Sequence, residues 1–538
     1  MASMVYRELF SEMPYAAALN TEYVSTRCSH CFADEATIPC SEDGCGRIFY
    51  CSQQCRDVDG PNHTNECLAF KKVGAGSINS FVRLLCRIMT RRLVDGGIVH
   101  LSENFPENVK DRCLADLISH QDEIEENECR SEEMNRAINE FLDVFSGTPL
   151  VEDQKLVRRM YCVMWINCFS VSGPISLTYG HDSSPGLGFY LNVSRFNHSC
   201  RPDLQVLFDG ARLVLQYPSS VFDERAVAKE RSGLTKSAKK FNDLKISYGY
   251  SGCFSNDSYF PLRSQRRQSL SFGYYFKCQC VLCSDKRKAD LEERAAPIEC
   301  AKCGEPYVWK ESGRRASLVC WASSAKNSRI QCKKTCSCGS DQAELEAVKD
   351  FVKGVNPDQE LKVLEKEWLE ATDFRLKDTY ATQMIGWCEP VWQKARSLWH
   401  RTANLRMNHL HERLFIAYDA IVMSDWNKHG KVDRRSLDMA MEMAEASLGW
   451  YAREGDPTCD SIVVATAYEL AQLYMVAAAS ASSNEECADA WNRRLSWIMF
   501  TASIWQMYGK YAKHVVNELM AAAGEAKLAI DALKNPPV

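Results

Sequence analysis

The stretch Asn197-His198-Ser199-Cys200 decides how this sequence is interpreted, because the motifs around it converge on a single site. It follows the run Gly186-Leu187-Gly188-Phe189-Tyr190 and precedes a short strand-like segment, Leu244-Lys245-Ile246-Ser247-Tyr248. A cysteine cluster, Cys278-Gln279-Cys280-Val281-Leu282-Cys283, comes next. Asn-His-Ser-Cys alone fits any polar loop. Together with a tyrosine that closes a strand and with the later cysteines, it indicates an active site with one wall held by zinc.

The cysteines at 278, 280 and 283 leave a tetrahedral zinc site one ligand short. Cys200 is the natural fourth ligand, since it ends the central stretch. An ion shared in this way would attach the cysteine cluster to the candidate active-site loop. All four positions would be filled by protein, so we expect this zinc ion to be structural and not catalytic.

The composition is that of an ordinary globular protein with several domains. The chain has 538 residues, of which 46% are hydrophobic and 25% are charged. Its formal net charge of -5 provides no basic field for nucleic acid, which we do not expect as the main ligand. No apolar stretch reaches the length of a membrane span, and residues 1–20 lack the apolar core of a secretory signal, so no membrane partner is expected.

Cysteine usage indicates a reducing compartment. Many of the 26 cysteines fall in close pairs with histidine nearby. In a chain without a secretory signal, this pattern favours zinc sites over disulfides. We therefore expect the protein in the cytoplasm and the nucleus.

Eight candidate zinc ligands lie between residues 28 and 67. Their spacing is Cys28-x2-Cys31, Cys40-x4-Cys45, Cys51-x3-Cys55 and His63-x3-Cys67, which is enough for two tetrahedral sites. The alternative is a set of buried free cysteines. It is disfavoured because so small a module needs the folding energy that zinc thiolate sites supply. His30, inside the first pair, is interpreted as a surface residue because the ligand count is already full.

This spacing resembles a MYND zinc finger, including the Phe49-Tyr50-Cys51 step before the third pair. In that family the two sites interleave along the chain. The resemblance implies that Cys28, Cys31, Cys51 and Cys55 bind one ion, and that Cys40, Cys45, His63 and Cys67 bind the other. The four-residue gap between Cys40 and Cys45 is longer than the family's usual two residues.

Outside the cysteines, extended and helical segments follow one another. Residues 5–24 are predicted to form two extended pieces joined at Pro14. Residues 70–164 are predicted to be helical, with residues 81, 84, 85 and 89 on one apolar face. Residues 165–217 return to strand character, beginning with the loose alternation of 165–171. Within them, Asp209-Gly210 predicts a hairpin between 204–208 and 213–217.

From about residue 341 the pattern is helical to the end. Two apolar stripes at helical spacing are present: Leu437, Ala440, Met441, Ala444 and Leu448, then Val464, Ala467, Tyr468, Ala471, Tyr474 and Met475. Helix pairs with short breaks resemble a tetratricopeptide (TPR) array, although no repeat period is clean. The stripes are interpreted as core, and a concave peptide-binding surface is the functional alternative.

Two further segments leave alternatives open. Residues 222–245 form a basic segment; a solvated loop is favoured over a substrate or nucleic-acid patch, because no aromatic residue is interleaved from Lys229 to Lys240. Another zinc ribbon could form from Cys300 and Cys303 with two of Cys320, Cys332, Cys336 and Cys338. The sequence thus predicts three zinc ions and leaves a fourth possible.

The order of these parts resembles the SET and MYND domain (SMYD) lysine methyltransferases along nearly the whole chain. The specific features are the finger and the pairing of Asn-His-Ser-Cys with a later Cys-x-Cys-x2-Cys. The resemblance implies an α+β, multidomain fold: a SET-type β core split by the finger and a helical insert, then a Cys-rich post-SET segment and a TPR-like helical domain. The implied boundaries are 1–24 for the N-terminal SET strands, 25–69 for the finger, 70–164 for the insert, 165–273 for the SET core, 274–290 for the post-SET zinc segment, 291–345 for a Cys-rich segment and 346–538 for the helical domain.

The resemblance also implies a protein-lysine N-methyltransferase that uses S-adenosylmethionine (SAM) and acts on histone or non-histone proteins. Tyr248 would be the catalytic tyrosine and would also contact the cofactor. The other cofactor contacts would be Asn167, Asn197, His198 and Phe276, and the third zinc ion would be bound by Cys200, Cys278, Cys280 and Cys283. The implied partners are a lysine-containing protein substrate and peptides bound by the finger or the helical domain, and a monomer is expected.

These residue types suit methyl transfer to lysine, an in-line displacement on a positively charged sulfonium. The amine must be neutral although its free pKa is about 10.4, and a narrow aromatic channel disfavours the ammonium form by desolvation. The tyrosine hydroxyl can then orient the amine, so alignment and preorganised electrostatics supply most of the acceleration. The alternative for Tyr248, a core tyrosine at a strand end, is disfavoured by its motif context.

One departure from the family leaves a second function open. The family begins with a Gly-x-Gly loop that lets the backbone approach SAM closely, whereas the first glycine here is Gly44. Residues 7–14 resemble the segment just after that loop, so we expect the sequence either to start too late or to bind SAM poorly. The alternative is a non-catalytic adaptor with a degenerate SET core that binds peptide motifs through its finger and helical domain. The missing Gly-x-Gly favours the adaptor, whereas the enzyme is favoured by the retained Asn197, His198, Tyr248 and Phe276.

Overall fold

The computed structural model describes residues 6–41, 43–74, 78–99, 112–171, 184–200, 202–218, 243–248, 263–284, 298–299, 306–312, 315–320, 374–398, 405–454 and 461–534. The described residues form two compact units. The first contains the described residues up to 284 together with 507–511. The second contains those from 298 to 506 and from 512 onward. The candidate active-site residues and the three predicted zinc groups belong to the first unit.

Short strands form several small sheets in the first unit. The strands are β1 (Tyr6–Glu12), β2 (Ala16–Leu19), β3 (Ile38–Pro39), β4 (Phe49–Tyr50), β5 (Ile98–Val99), β6 (Arg112–Cys113), β7 (Cys168–Val171), β8 (Gly186–Phe189), β9 (Asn197–His198), β10 (Gln205–Asp209), β11 (Arg212–Pro218) and β12 (Lys245–Ile246). One antiparallel sheet has the order β1-β11-β10, and another has the order β2-β8-β7. The N-terminal strands thus pair with strands far along the chain, since they are too short to be stable alone.

The predicted hairpin is present as β10 and β11. Gly210 at its turn has a φ of 59°, a left-handed conformation that glycine adopts without a steric penalty. A Cβ atom at this position would overlap the carbonyl oxygen of Cys31. The Ala211 N–H donates a hydrogen bond to that same oxygen at 2.9 Å. The tip of the hairpin therefore packs directly on the first cysteine pair of the finger.

Helices cover these sheets in the first unit. They are α1 (Gln53–Val73), α2 (Ser80–Asp95), α3 (Gln121–Glu126), α4 (Glu128–Val144), α5 (Gln154–Asn167), α6 (Arg263–Tyr274) and α7 (Val281–Ser284). The predicted helical character of 70–164 is confirmed in the described part by α2, α3, α4 and α5, with β5 and β6 as short interruptions.

The prediction that strand character begins at Trp165 is wrong. Helix α5 continues through Asn167, and β7 starts at Cys168. Trp165 stacks on Tyr161, one helical turn earlier, with 6.0 Å between ring centroids. Packing along this face of the helix extends it beyond the residue at which the alternation begins.

The second unit is rich in helices. It contains β13 (Ile298–Glu299), β14 (Pro306–Ser312), β15 (Arg315–Cys320), α8 (Phe374–Leu398), α9 (Leu405–His429), α10 (Arg434–Glu454), α11 (Ser461–Ala479), α12 (Asn484–Gln506) and α13 (Lys513–Lys534). Consecutive helices from α8 to α13 pack against one another. Both predicted stripes lie on buried faces of α10 and α11, although Met441, Tyr468 and Met475 are only half-buried. The TPR-like detail stays a prediction.

Some predictions fall outside the described residues. These are the positions of Cys300, Cys303, Cys332, Cys336 and Cys338, the side chain of Cys320 and most of the basic segment 222–245. Of the helices that the structure describes, none combines the length and the apolar character needed to cross a membrane.

A buried ionic cluster joins the finger helix α1 to α2. Arg83 donates to Glu66 at 2.6 Å and to the Leu19 carbonyl oxygen at 2.8 Å. Arg87 donates to the other oxygen of Glu66 at 2.7 Å and to Asp59 at 3.1 Å. Burial opposes the ionisation of Glu66, but the adjacent guanidinium groups of Arg87 and Arg83 hold its pKa well below its ordinary value. The cluster therefore connects the finger to α2 and, through Leu19, to β2.

The last residue of β1, Glu12, supports the loop that leads to Asn197. Its carboxylate accepts hydrogen bonds from the backbone N–H groups of Asn192 at 3.0 Å and Val193 at 3.1 Å. These groups begin the 3-10 turn Val193–Arg195, and the first N–H groups of a helical turn have no partner within it. Burial nevertheless raises the pKa of Glu12 to about 7.

The substitution Glu66→Gln should lower the free energy of unfolding of the first unit by about 3–5 kcal/mol, because it leaves the buried Arg83 without its carboxylate and Arg87 with that of Asp59 alone. Denaturant titration followed by tryptophan fluorescence measures this change. Asp489→Asn is the matched control, since its ion pair with Arg493 on α12 is exposed and such pairs contribute little. Equal effects of the two substitutions would contradict a stabilising role for the cluster.

Glu12 should make the stability of the first unit depend on pH. Because folding raises its pKa from 4.5 to about 7, the native state binds more protons than the unfolded state in this window. Its contribution to the free energy of unfolding therefore falls as pH rises from 4.5 to 7, by about 3 kcal/mol for a shift of this size. Glu12→Gln removes the contribution, so the difference between the variants should change with pH. Parallel unfolding profiles at pH values across the window would refute this prediction.

Candidate active site and zinc centres

The structure brings together the three predicted groups of zinc ligands. Within each group the ligand atoms lie within 4.8 Å of one another. The groups are Cys28, Cys31, Cys51 and Cys55; Cys40, Cys45, His63 and Cys67; and Cys200, Cys278, Cys280 and Cys283. They coincide with the interleaved finger sites and with the site shared between the central loop and the later cysteines. Among the described residues, His30 belongs to none of them.

The sulfur positions fit zinc. In a tetrahedral site with Zn–S bonds of ~2.3 Å, neighbouring sulfur atoms lie about 3.8 Å apart. The Sγ–Sγ distance is 3.6 Å between Cys31 and Cys51, and 3.7 Å between Cys200 and Cys278. A disulfide would need a separation of about 2 Å. The clusters therefore have the donor atoms and the spacing that bind zinc.

Residues around the finger orient its one histidine ligand. His63 Nδ1 lies 2.7 Å from the Glu66 carboxylate, and His63 Nε2 faces Cys45 Sγ at 3.5 Å. A carboxylate behind a ligand histidine fixes its ring orientation and makes it a better donor to metal. The buried ionic cluster around Glu66 thus reaches the metal site directly.

Arginines of α6 hold the cysteine tail over the central loop. Arg267 donates from Nε to the Cys278 carbonyl oxygen at 3.0 Å and from Nη2 to the Cys283 carbonyl oxygen at 3.1 Å. Cys200 Sγ is 3.5 Å from Cys283 Sγ. The loop and the tail are therefore joined by the cysteine cluster and supported by α6.

Three of the predicted active-site residues lie side by side. The Tyr248 N–H donates to His198 Nδ1 at 3.1 Å, and their ring centroids are 5.4 Å apart. The Phe276 ring lies 5.9 Å from the His198 ring and 6.3 Å from the Tyr248 ring, edge to face with the latter. Asn197 precedes His198 on β9, which runs parallel to β12 with Lys245 opposite Asn197. The β9–β12 pairing accounts for this arrangement. It places Ile246, two residues before Tyr248, opposite His198.

Burial shifts the pKa values of Tyr248 and His198 in the directions that favour their neutral forms near pH 7. Burial raises the pKa of Tyr248 to about 12, and its hydroxyl donates to the Phe196 carbonyl oxygen at 2.9 Å. Burial lowers the pKa of His198 to about 4, so its Nδ1 can accept the Tyr248 N–H. The site therefore contains a fixed, uncharged hydroxyl oxygen within a group of aromatic rings.

Sequence reasoning missed Tyr274. Its hydroxyl donates to the Tyr248 carbonyl oxygen at 3.0 Å, and the two rings are 5.0 Å apart. The run Tyr274-Tyr275-Phe276 is visible in the sequence, but only Phe276 was assigned to the site. The side chain that faces Tyr248 depends on the backbone at Tyr275, which has a positive φ of 57° that the sequence does not reveal.

Asn167 and Asn197 differ in their availability to a ligand. The Asn167 amide nitrogen donates to the carbonyl oxygens of Val163 at 2.8 Å and Ile118 at 3.1 Å, where it caps the end of α5. Its contact with a cofactor stays a prediction. Asn197 is exposed, and its side chain has no hydrogen bond to any residue that the structure describes. An exposed carboxamide beside aromatic rings is available for hydrogen bonding to a polar ligand.

Comparison with known proteins supports the resemblance to a MYND finger and to lysine methyltransferases. Residues 28–67 match the family model of the MYND finger. Histone-lysine N-methyltransferase Smyd1 of Mus musculus is 26% identical over 288 residues, which cover 53% of this chain and 52% of that protein. Histone-lysine N-methyltransferase ASHR1 of Arabidopsis thaliana is 24% identical over 298 residues, or 55% and 54% of the two chains. Histone-lysine N-methyltransferase SMYD3 of Homo sapiens is 23% identical over 307 residues, or 56% and 60%.

The chain spans about half the length of the curated relatives it matches. The finger match and these relatives together support a relation to the SET and MYND domain (SMYD) proteins.

Proposed function

We propose that the first unit is a SAM-dependent methyltransferase that acts on lysine side chains of proteins. The observation that carries the proposal is the environment of Tyr248. Its neutral hydroxyl is held by the Phe196 carbonyl oxygen, inside a group of rings formed by His198, Tyr274 and Phe276. Relatives named as histone-lysine methyltransferases support histones as one substrate class.

Asn197, His198, Tyr248 and Phe276 would hold the cofactor, with Asn167 as a further contact. SAM supplies a methyl group on a positively charged sulfonium. The faces of Tyr248, Tyr274 and Phe276 favour a cation beside them, since aromatic rings carry negative charge on their faces. The same faces would favour the methylated, cationic lysine product.

Tyr248 would orient the substrate amine. Burial around its ring disfavours the charged ammonium form of the substrate lysine. The pKa of that lysine would therefore be lowered and its neutral amine more populated. Since the pKa of Tyr248 is raised to about 12, the hydroxyl stays protonated and acts as a fixed polar group rather than as a base. The acceleration would come from alignment of the amine and from preorganised dipoles.

Removal of the Tyr248 hydroxyl should abolish most of the activity and leave cofactor binding intact. Tyr248→Phe deletes one positioned polar group, and losses of that kind are about 10²–10³ in kcat. Calorimetric titration with SAM and a peptide-array methylation assay measure the two quantities separately. Tyr418→Phe is the matched control, since this hydroxyl donates to Glu389 at 2.8 Å in the second unit.

Three outcomes distinguish the candidate functions. SAM binding with activity lost only in Tyr248→Phe supports the methyltransferase. Equal losses in Tyr248→Phe and Tyr418→Phe would reject the assigned role of Tyr248. A zinc-loaded chain that binds no SAM would reject the enzyme and favour the peptide-binding adaptor.

Loss of the third zinc centre should weaken SAM binding. Cys283 is completely buried in that cluster, and Cys283→Ser removes one of its four ligands. We expect one zinc ion fewer per chain by elemental analysis and a weaker affinity for SAM, because Asn197 and His198 lose their tether through Cys200. Cys129→Ser is the control, since Cys129 is exposed and lies outside the three clusters. Unchanged SAM affinity at reduced zinc content would contradict the link between the cluster and the loop.

A further inference from the structure

Aromatic rings enclose the side chain of Arg130, which extends from α4. Its guanidinium carbon lies 4.5 Å from the ring centroid of Phe272, 5.5 Å from that of Trp165 and 5.7 Å from that of Tyr275. All three distances are within the roughly 6 Å range of cation–π attraction. Arg130 is only 7% exposed, so these rings form its main surroundings.

The rings compensate a charge that has no carboxylate partner. Nε and Nη1 of Arg130 are buried and have no hydrogen-bond acceptor among the residues that the structure describes. A buried guanidinium with two unpaired nitrogen atoms is unfavourable unless its surroundings stabilise the charge. The aromatic faces provide that stabilisation here, so Arg130 and the rings depend on one another for their positions.

One of these rings belongs to a residue with an unfavourable backbone. Tyr275 has a φ of 57°, a left-handed conformation that residues with a Cβ atom rarely adopt. Its ring contacts Arg130 and lies 5.3 Å from the His120 ring. The side chains of the two neighbouring residues contact the candidate active site instead. The Tyr274 hydroxyl donates to the Tyr248 carbonyl oxygen, and Phe276 packs near His198. The left-handed conformation of Tyr275 therefore allows its own side chain to contact Arg130 while those of Tyr274 and Phe276 contact the candidate active site.

We propose that Arg130 is a positioning residue for the candidate active site. It holds Tyr275 in the left-handed conformation, and Tyr275 in turn directs Tyr274 and Phe276 towards Tyr248 and His198. The helical insert would thus shape the site through Arg130, whose guanidinium faces Phe272, Trp165 and Tyr275. The effect on methyl transfer rests on the proposed function, whereas the effect on the conformation of 274–276 does not.

The chemistry of the enclosure is specific to arginine. A planar guanidinium can face several rings at once, whereas a lysine ammonium is a compact, strongly hydrated charge. A methionine of similar length would fill part of the space and leave no cation for the rings. Arg130→Lys therefore keeps the charge and removes the planar group, whereas Arg130→Met keeps part of the volume and removes the charge.

The experiment measures hydrogen exchange of the peptide that covers 271–277 in the zinc-loaded full chain. We expect exchange to become about tenfold faster in Arg130→Met, as the loss of a desolvated cation–π contact implies, and to be intermediate in Arg130→Lys. Phe272→Leu should change it in the same direction but less. Phe272 is 56% exposed, so this variant removes the nearest ring with little risk to folding. Arg494→Met is the matched control, because Arg494 is also buried and faces Trp491 at 5.4 Å in the second unit.

Methylation kinetics and SAM titration are measured on the same variants. If the wild type methylates peptides, Arg130→Met should lower kcat more than it raises the peptide KM, and Arg130→Lys should recover part of the loss. A wild type that binds no SAM would reject the proposed function, while faster exchange of 271–277 in Arg130→Met would still support the positioning role. Wild-type exchange in both Arg130→Met and Phe272→Leu would overturn it. A uniform increase over the whole first unit in both variants would also overturn it, because that result indicates general loosening.

Discussion

The buried carboxylate of Glu66 is the contact on which the arrangement of the first unit depends. One oxygen accepts from Arg83, and the other accepts from Arg87 and faces the ring of His63. The candidate metal site and the strands are therefore linked, because His63 belongs to a group of candidate zinc ligands and Arg83 also binds the carbonyl oxygen of Leu19 in β2. Since a buried charge without its partner is strongly unfavourable, the loss of one member of this group destabilises the others. The finger is thus built into the strand core rather than attached to it.

The cysteine cluster at Cys200 likewise joins segments that are distant in sequence. Cys200 follows directly on Asn197, His198 and Ser199, and it joins them to ligands near residue 280. A zinc ion with four protein ligands performs no chemistry of its own. An ion bound here would fix the relation between the loop that carries His198 and the tail that carries Phe276. The candidate site is therefore assembled from segments that are distant in sequence and would otherwise be only loosely associated.

Local signals were sufficient to predict several parts of this structure. The hairpin followed from Asp209-Gly210, because a two-residue turn of this type depends on adjacent residues alone. The number of candidate finger ligands followed from their spacing, and their grouping into two sites followed from the MYND resemblance. Cys200 could be assigned because three cysteines call for a fourth ligand. In each case the information lies in a short stretch or in a fixed number of ligands.

Other parts could not be predicted, since they depend on contacts between distant residues. Alternation at Trp165 resembled a strand, but the stacking of Trp165 on Tyr161 keeps these residues helical. The role of Tyr274 depends on a left-handed residue that no sequence pattern identifies. The enclosure of Arg130 joins residues of α4, α5 and the end of α6. No periodicity connects them, because such contacts form only after the helices have packed.

The pairing of the first strand has a consequence for how the chain folds. Tyr6 on β1 lies opposite Pro218 on β11, and the finger and the insert are made in between. At typical synthesis rates β1 waits on the order of ten seconds or more for its partner, with the exposed hydrogen-bonding edge that promotes aggregation. The finger requires only nearby ligands and a metal ion, so it can fold while the chain is still growing. Zinc binding during translation would therefore give the N-terminal strand a folded neighbour before its own partner strand has been made.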